Sequence, residues 1–315
     1  MNERFLVTGA LGCVGAWSCA QLVREGVPVV AYDLSANTDR LELVMSSAEL
    51  ARLTLVRGDV ADIGRLETVV ADQAITHVVH LAAMLLPLVK SDPPRGSLVN
   101  VVGTTNVFEV ARRCGIRGLA YASSAAVYGP GQGPRIEDAA EPASLYGVFK
   151  LTNEATARVY WSDEQVGSIG LRPYVVYGPG RDQGLTSDPS LAMAAAARNE
   201  GYAMRWGGRS QLHYAPDVAN AFIAAARAEH EGAAVFDLGG PSSHMREVVA
   251  AIEAAAPDVK GQVEFAEIQL PFPEELDAAN LEEFVGVLDR TPLHEGTRLT
   301  IEHYRQSKHV APARH

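Results

Sequence analysis

The 315-residue chain has a formal net charge of −11 and is 47% hydrophobic, which predicts a soluble globular protein with a substantial core. Its acidic residues are scattered, so we expect no nucleic-acid partner. Cys13, Cys19 and Cys114 form no CxxC pair and no cluster with histidines, and we expect no metal and a reducing, cytoplasmic compartment. No apolar run reaches the ~18 residues that span a bilayer. We therefore expect no membrane partner.

Short apolar runs alternate with helix-like segments through the first half of the chain. Runs without polar alternation are typical of parallel strands that are covered on both faces, and crossover helices return the chain to the same sheet edge. The sequence therefore predicts an α/β fold with a Rossmann-type doubly wound parallel sheet. The predicted strands are 4–8, 28–32, 53–57, 77–81, 118–123 and 167–172, and the main predicted helices are 13–25, 99–114 and 143–161.

The alternation of strands and helices ends after Pro173. Residues 178–190 are rich in Gly, Pro and Asp and predict a loop before a helix at 191–198, whereas 234–238 predicts a strand that rejoins the sheet. We expect a Rossmann domain over 1–175, rejoined by about 214–240, and a smaller C-terminal substrate lobe over 176–213 and 241–315.

A glycine-rich turn joins the first predicted strand to the first helix. Its glycines have GxxGxxG spacing: Gly9, Gly12 and Gly15. Such glycines permit a tight turn and close approach of a pyrophosphate, and the helix N-terminus, with Cys13 and Val14, offers N–H groups to phosphates. Asp33 ends the second strand, where it can bind ribose hydroxyls and repel a 2′-phosphate. The pattern predicts an NAD-binding domain and NAD as cofactor; alternatively, Asp33 is a solvated turn residue.

Tyr146 and Lys150 form a YxxxK pair in a predicted helix, so they share one helix face. Lys150 and the positive nicotinamide ring would favour phenolate over phenol; lowering the Tyr146 pKa from ~10 towards 7 needs roughly 4 kcal/mol. Ser124 follows a predicted strand at the sheet edge where ligands bind. We expect Ser124, Tyr146 and Lys150 to be catalytic. For the neighbouring Ser123 we expect only a structural role, as a strand-end serine that bonds to backbone.

These and other motifs together resemble an extended short-chain dehydrogenase/reductase, specifically the NAD-dependent epimerase/dehydratase family. The resemblance extends over most of the chain. It rests on Thr-Gly-Ala-Leu-Gly-Cys-Val-Gly at 8–15, Gly-Asp-Val at 58–60, His-Leu-Ala-Ala at 80–83, Asn100, Ser-Ser-Ala-Ala-Val-Tyr-Gly at 123–129, Tyr146 with Lys150, and Leu-Arg-Pro-Tyr-Val-Val-Tyr-Gly-Pro-Gly at 171–180.

The resemblance implies further cofactor contacts. Lys150 would also bind the nicotinamide ribose and Pro173 would lie near the carboxamide. For Asn100, structural support of the cofactor side is at least as well founded as direct contact. The other implied contacts are Asp59 and Val60 with adenine, and Leu81, Ala82 and Ala83 along the cofactor.

The expected substrate is a small carbohydrate-like molecule, but its identity stays open. Where nucleotide-sugar enzymes of the family often carry an Arg, this chain has Ser210; Arg209 or Arg181 would then bind a diphosphate or carboxylate, or are surface arginines. The expected substrate-binding residues are Met84, Ser124, Ala125, Tyr146, Arg181 and Arg209. Three functions remain: a sugar or nucleotide-sugar epimerase, an NAD-dependent dehydrogenase of a small sugar, sugar acid or hydroxy acid, and a non-catalytic NAD-binding protein.

A homodimer is also expected, because in related folds the helices at 99–114 and 143–161 pair into a four-helix interface. Both carry apolar residues beyond what one sheet face covers: Val101, Val107, Phe108, Val148 and Phe149. Burial in the monomer core is the simpler alternative.

Overall fold

The computed structural model describes residues 3–129, 140–276 and 281–307. The strands are β1 (Phe5–Thr8), β2 (Val29–Asp33), β3 (Thr54–Arg57), β4 (His77–His80), β5 (Gly118–Ala122), β6 (Ser168–Arg172), β7 (Val175–Tyr177), β8 (Tyr202–Met204), β9 (Arg209–Tyr214), β10 (Ala233–Asp237), β11 (Ser242–His244) and β12 (Val263–Phe265). A seven-stranded parallel sheet has the order β3-β2-β1-β4-β5-β6-β10. This confirms the predicted Rossmann-type fold.

Helices cover both faces of this sheet. They are α1 (Cys13–Arg24), α2 (Asp39–Val44), α3 (Ser47–Leu50), α4 (Ile63–Asp72), α5 (Leu86–Ser91), α6 (Pro93–Ser97), α7 (Gly103–Cys114), α8 (Leu145–Glu164), α9 (Asp188–Ala197), α10 (Ala215–Arg227), α11 (Met245–Ala255), α12 (Leu281–Val285) and α13 (Leu293–Gln306). Alternate residues of β1 serve the two cores: Phe5 packs with α1 and α10, whereas Leu6 packs with α4 and α7. None of the described helices is long and apolar enough to cross a membrane.

The chain after β6 builds two small sheets, β11-β9-β7 and β12-β8. The predicted loop at 178–190 ends early, because α9 begins at Asp188 with Pro189 in its first turn, where proline is tolerated. β10 rejoins the large sheet beside β6, one residue before the predicted strand at 234–238. The division into a Rossmann domain and a substrate lobe stays a prediction.

A buried ion pair links α8 to the carboxyl ends of three sheet strands. Arg172 donates through Nε and Nη2 to the Glu154 carboxylate at 2.8 and 2.6 Å, and through Nη1 to the Tyr128 hydroxyl at 2.6 Å. Ser123 donates to the same carboxylate, and Tyr128 donates to Asp237 at 2.8 Å. The network therefore joins α8 to the ends of β5, β6 and β10.

We expect Glu154→Ala to lower the free energy of unfolding by about 3–5 kcal/mol, because Arg172 would keep a buried charge without its bidentate partner. The matched control is Glu302→Ala, which removes an exposed partner of Arg298 and should cost under about 1 kcal/mol. Urea unfolding measures both variants. Equal losses of unfolding free energy in the two variants would show that the buried pair stabilises the fold no more than the exposed pair does.

Candidate active site

The glycine-rich turn packs so closely against neighbouring backbone that side chains are sterically excluded at Gly9 and Gly15. Gly9 has φ +68°, and a Cβ there would lie 2.6 Å from Ala82 N; a Cβ on Gly15 would lie 2.2 Å from Gly9 O. No side chain of the described residues caps α1 at Gly12. The backbone N–H groups at the start of this helix are therefore available to phosphate oxygens.

Asp33 is held at the edge of this turn. Its Oδ2 accepts from Leu11 N at 2.9 Å and its Oδ1 accepts from Ser35 N at 2.9 Å. The carboxylate is thus fixed beside the turn, and its contact with the ribose stays a prediction. Asp59 is bound by Arg95 at 2.5 Å, and Val60 is buried in the core. Their adenine contacts stay predictions.

The predicted cofactor wall, Leu81, Ala82 and Ala83, follows a buried histidine whose two ring nitrogens are both hydrogen-bonded. His80 Nδ1 lies 2.7 Å from Thr8 Oγ1, and its Nε2 lies 3.0 Å from Thr104 Oγ1. Burial, together with the charge of Lys150, lowers the pKa of His80 to about 3. A permanently neutral imidazole therefore ties the end of β4 to β1 and α7. The motif His-Leu-Ala-Ala alone did not reveal this role.

Asn100 is hydrogen-bonded to the segment that follows the predicted cofactor-lining residues, and its contact with the cofactor stays a prediction. It lies in a π-helical turn, Leu98–Val102, between α6 and α7; such turns often occur at functional sites. Its Oδ1 accepts from Met84 N and its Nδ2 donates to Met84 O, both at 3.0 Å. The buried amide thus fixes the backbone at Met84, a predicted substrate residue, at the end of the cofactor wall.

The three predicted catalytic side chains come together between β5 and α8. The Tyr146 hydroxyl is hydrogen-bonded to Ser124. Lys150 Nζ lies 5.6 Å from the centre of the Tyr146 ring and donates to Ala122 O at 2.7 Å. Ser144 caps the start of α8 through Gly147 N at 3.1 Å. The neighbouring Ser123 does not join the triad, since it bonds to Glu154.

Burial dominates the ionisation of Tyr146 and Lys150. It lowers the pKa of Lys150 to about 8, against the opposing charge of Glu154. It also raises the pKa of Tyr146, against the opposing effects of the Ser124 hydrogen bond and the charge of Arg181. The chain's own residues therefore keep Tyr146 protonated, and the predicted lowering needs the additional positive charge that a bound oxidised nicotinamide supplies.

The other predicted substrate residues divide into two groups. Ala125 meets Pro173, a predicted cofactor residue, beside the triad, where Ala125 N donates to Pro173 O at 3.1 Å. Arg181 lies close enough to influence Tyr146. Arg209 is engaged elsewhere: its Nη2 donates to Ser242 O at 2.5 Å and its Nη1 lies 3.7 Å from Glu247. The geometry therefore gives no support to Arg209 as a substrate residue.

The family model for the NAD dependent epimerase/dehydratase family matches residues 5–239. The chain belongs to this family. A UDP-glucose 4-epimerase of Mycolicibacterium smegmatis is 30% identical, over 96% of this chain and 98% of that protein. The chain is accordingly an NAD-dependent enzyme of the extended short-chain dehydrogenase type.

Two solved structures extend the similarity to three dimensions. The UDP-glucose 4-epimerase of Thermus thermophilus in complex with NAD has a TM-score of 0.81 at 25% identity, covering 97% of this chain and all of that one. MoeE5 in complex with UDP-glucuronic acid and NAD has a TM-score of 0.78 at 27% identity, covering 96% and 99%. The described part of the chain, including its C-terminal half, therefore has the architecture of these enzymes.

We expect NADH binding to take up roughly half a proton at pH 8 and only about a tenth of a proton at pH 7. The free protein loses the Lys150 proton as the pH rises through about 8, and contact with the ribose hydroxyls should restore the ammonium. Calorimetry in two buffers of different ionisation enthalpy measures the uptake. Lys150→Met should abolish it, whereas Lys260→Met should not; equal uptake in both variants would contradict the assignment.

Proposed function

We propose that the chain catalyses reversible hydride transfer between NAD and a secondary alcohol carbon of a carbohydrate, and that it is an epimerase. The observation that carries this proposal is the Tyr146 hydroxyl bonded to Ser124, with the buried Lys150 ammonium below the ring. The M. smegmatis relative, whose name is UDP-glucose 4-epimerase, supports the reaction type.

In the proposed reaction, Ser124 donates a hydrogen bond to the reacting oxygen of the substrate. Tyr146, as phenolate, takes the hydroxyl proton while the carbon gives up its hydride, which the bound NAD accepts. The resulting ketone turns its other face, regains the hydride and takes the proton back from Tyr146. Hydride and proton both return to the substrate, so the reaction has no net oxidation.

A second candidate is an NAD-dependent dehydrogenase of a small unactivated sugar, sugar acid or hydroxy acid. It is favoured by Ser210, which is fully buried at the position where an Arg was expected and therefore supplies no charge to a nucleotide diphosphate. A non-catalytic NAD-binding protein is disfavoured, because such a protein would not need the assembled Ser124, Tyr146 and Lys150.

The free thiols support the cytoplasmic location that we propose. Cys13, Cys19 and Cys114 are unpaired, and burial raises the pKa of Cys13 to about 12. Protonated, buried thiols of this kind react slowly. The chain is therefore suited to a reducing compartment and needs no disulfide.

We expect Tyr146→Phe to reduce turnover by ~10²–10⁴ while leaving NAD affinity unchanged, because only a proton-transfer group is lost. Tyr160→Phe, in the same helix, is the control. Nuclear magnetic resonance detects an epimer, and absorbance detects NADH. If NADH accumulated in proportion to the substrate consumed, the chain would be a dehydrogenase and not an epimerase. Near-normal turnover in Tyr146→Phe would refute the assignment and leave the proton to another group, such as His213.

We also propose that the chain forms a homodimer through α7 and α8. Leu145, Val148 and Val159 lie on one side of α8 and are 48%, 40% and 55% exposed. Of the residues expected at this interface, Val107 and Phe108 are instead buried in the monomer core, which was the alternative to the dimer. The exposed stripe on α8 therefore supports the dimer, and those two α7 residues do not.

We expect light scattering to report a dimer at micromolar concentration and Val148→Glu to convert it to a monomer, since a charge would enter an apolar interface. The control is Val287→Glu, at a residue that is 92% exposed far along the chain from α8. A monomeric parent protein, or a dimer that tolerates Val148→Glu, would exclude this interface.

A further inference from the structure

One long stretch of the C-terminal half carries no positively charged side chain. Between Gly261 and Asp289 the sequence contains several acidic residues and, before Arg290, no Lys or Arg. A nucleotide diphosphate carries about two negative charges, which proteins usually bind with Arg, Lys or helix N-termini. A substrate with such a group would depend on the arginines that remain.

Most arginines in the described part of this half are already committed to carboxylates. The pairs are Arg198 with Glu200, Arg205 with Asp188, Arg209 with Glu247, Arg290 with Glu282, and Arg298 with Glu295 and Glu302. The Asp188 carboxylate is completely buried, so withdrawing Arg205 from it would leave an unpaired buried charge. These arginines are poorly placed to bind a diphosphate.

Arg181 differs from these paired arginines. It lies in the loop between β7 and α9, and its Nη2 donates to Thr186 Oγ1 at 3.2 Å. Its buried Nε has no hydrogen-bond partner among the described residues. The adjacent carboxylate, Asp182, is bound by Arg40 at 2.6 Å. Arg181 therefore keeps a positive charge and a buried donor that no described carboxylate satisfies.

The tip of Arg181 lies near Leu85 and Tyr146. A Cβ on Gly184 would lie 3.1 Å from Arg181 Nη2 and 3.3 Å from Leu85 Cδ1, so the guanidinium is close to the residues that follow the cofactor wall. Its charge also acts on Tyr146. A molecule whose hydroxyl meets Tyr146 would thus present its anionic group to Arg181.

We propose that the substrate is a sugar acid, whose single carboxylate binds Arg181 while its reacting hydroxyl binds Tyr146 and Ser124, and not a nucleotide-diphosphate sugar. The inference rests on the proposed hydride transfer at a carbohydrate. One guanidinium with a free donor matches one carboxylate in charge and geometry.

A binding experiment tests the substrate class without relying on turnover. D-gluconate, D-galacturonate, D-galactose and UDP are titrated into the enzyme–NADH complex, with NADH fluorescence as the signal. We expect one of the two acids to bind at least tenfold more tightly than D-galactose and UDP, and Arg181→Leu to weaken that acid by ~10–100-fold. Arg198→Leu, at an arginine paired with Glu200, should change nothing. Tighter binding of UDP, or of D-galactose, would overturn the inference.

Two further measurements separate the possible failures. Arg181→Leu should leave the Kd of NADH within twofold of the parent value; a large loss would assign Arg181 to the cofactor pyrophosphate and overturn the inference. Turnover of UDP-glucose that depends on Tyr146 but not on Arg181 would overturn it while the proposed function stands. Arg181-dependent binding of an acid without turnover of any sugar or acid would overturn the proposed function alone.

Discussion

The buried pair of Glu154 and Arg172 fixes the relative positions of the elements that carry the chemistry. Arg172 directly precedes Pro173, and Glu154 lies one helical turn after Lys150, on the same face of α8. Ser123, which bonds to Glu154, directly precedes Ser124. Ser124 and Pro173 are therefore next to members of the network, and Lys150 is one helical turn from Glu154. A shift of α8 against the sheet would have to break a bidentate ion pair at low dielectric.

The same pair shows where inference from the sequence ends. Motif and strand position predicted the meeting of Ser124, Tyr146 and Lys150, because the strand end and helix face that hold them follow from local patterns. Glu154 was missed, although a carboxylate four residues after Lys150 on a helix that covers a sheet was the available signal. Its partner Arg172 comes from a different element, and no local pattern predicts which distant charge compensates a buried one.

The C-terminal half was predicted only in outline for a related reason. β7, β8, β11 and β12 have three residues each, too few for alternation to show, and their order comes from pairing with distant strands. On β9 the alternation of side chains does carry information: Arg209 and Ser210 point to opposite faces, so only one of them can face the substrate. Arg209 faces Glu247. It had been predicted to bind the substrate only because it is an arginine.

Helix α8 connects catalysis to the proposed self-association through its two faces. Tyr146, Lys150 and Glu154 recur every four residues and face the sheet, whereas Leu145 and Val148 face outward. Lys150 and Glu154 are nearly inaccessible to solvent, so this helix brings two charged groups into the interior. Such burial costs stability that Arg172 only partly restores. Covering the outward stripe in a dimer would add apolar burial to the same helix, at about 25 cal/mol for each Å² removed from water, and so stabilise the element that holds the proton donor in place.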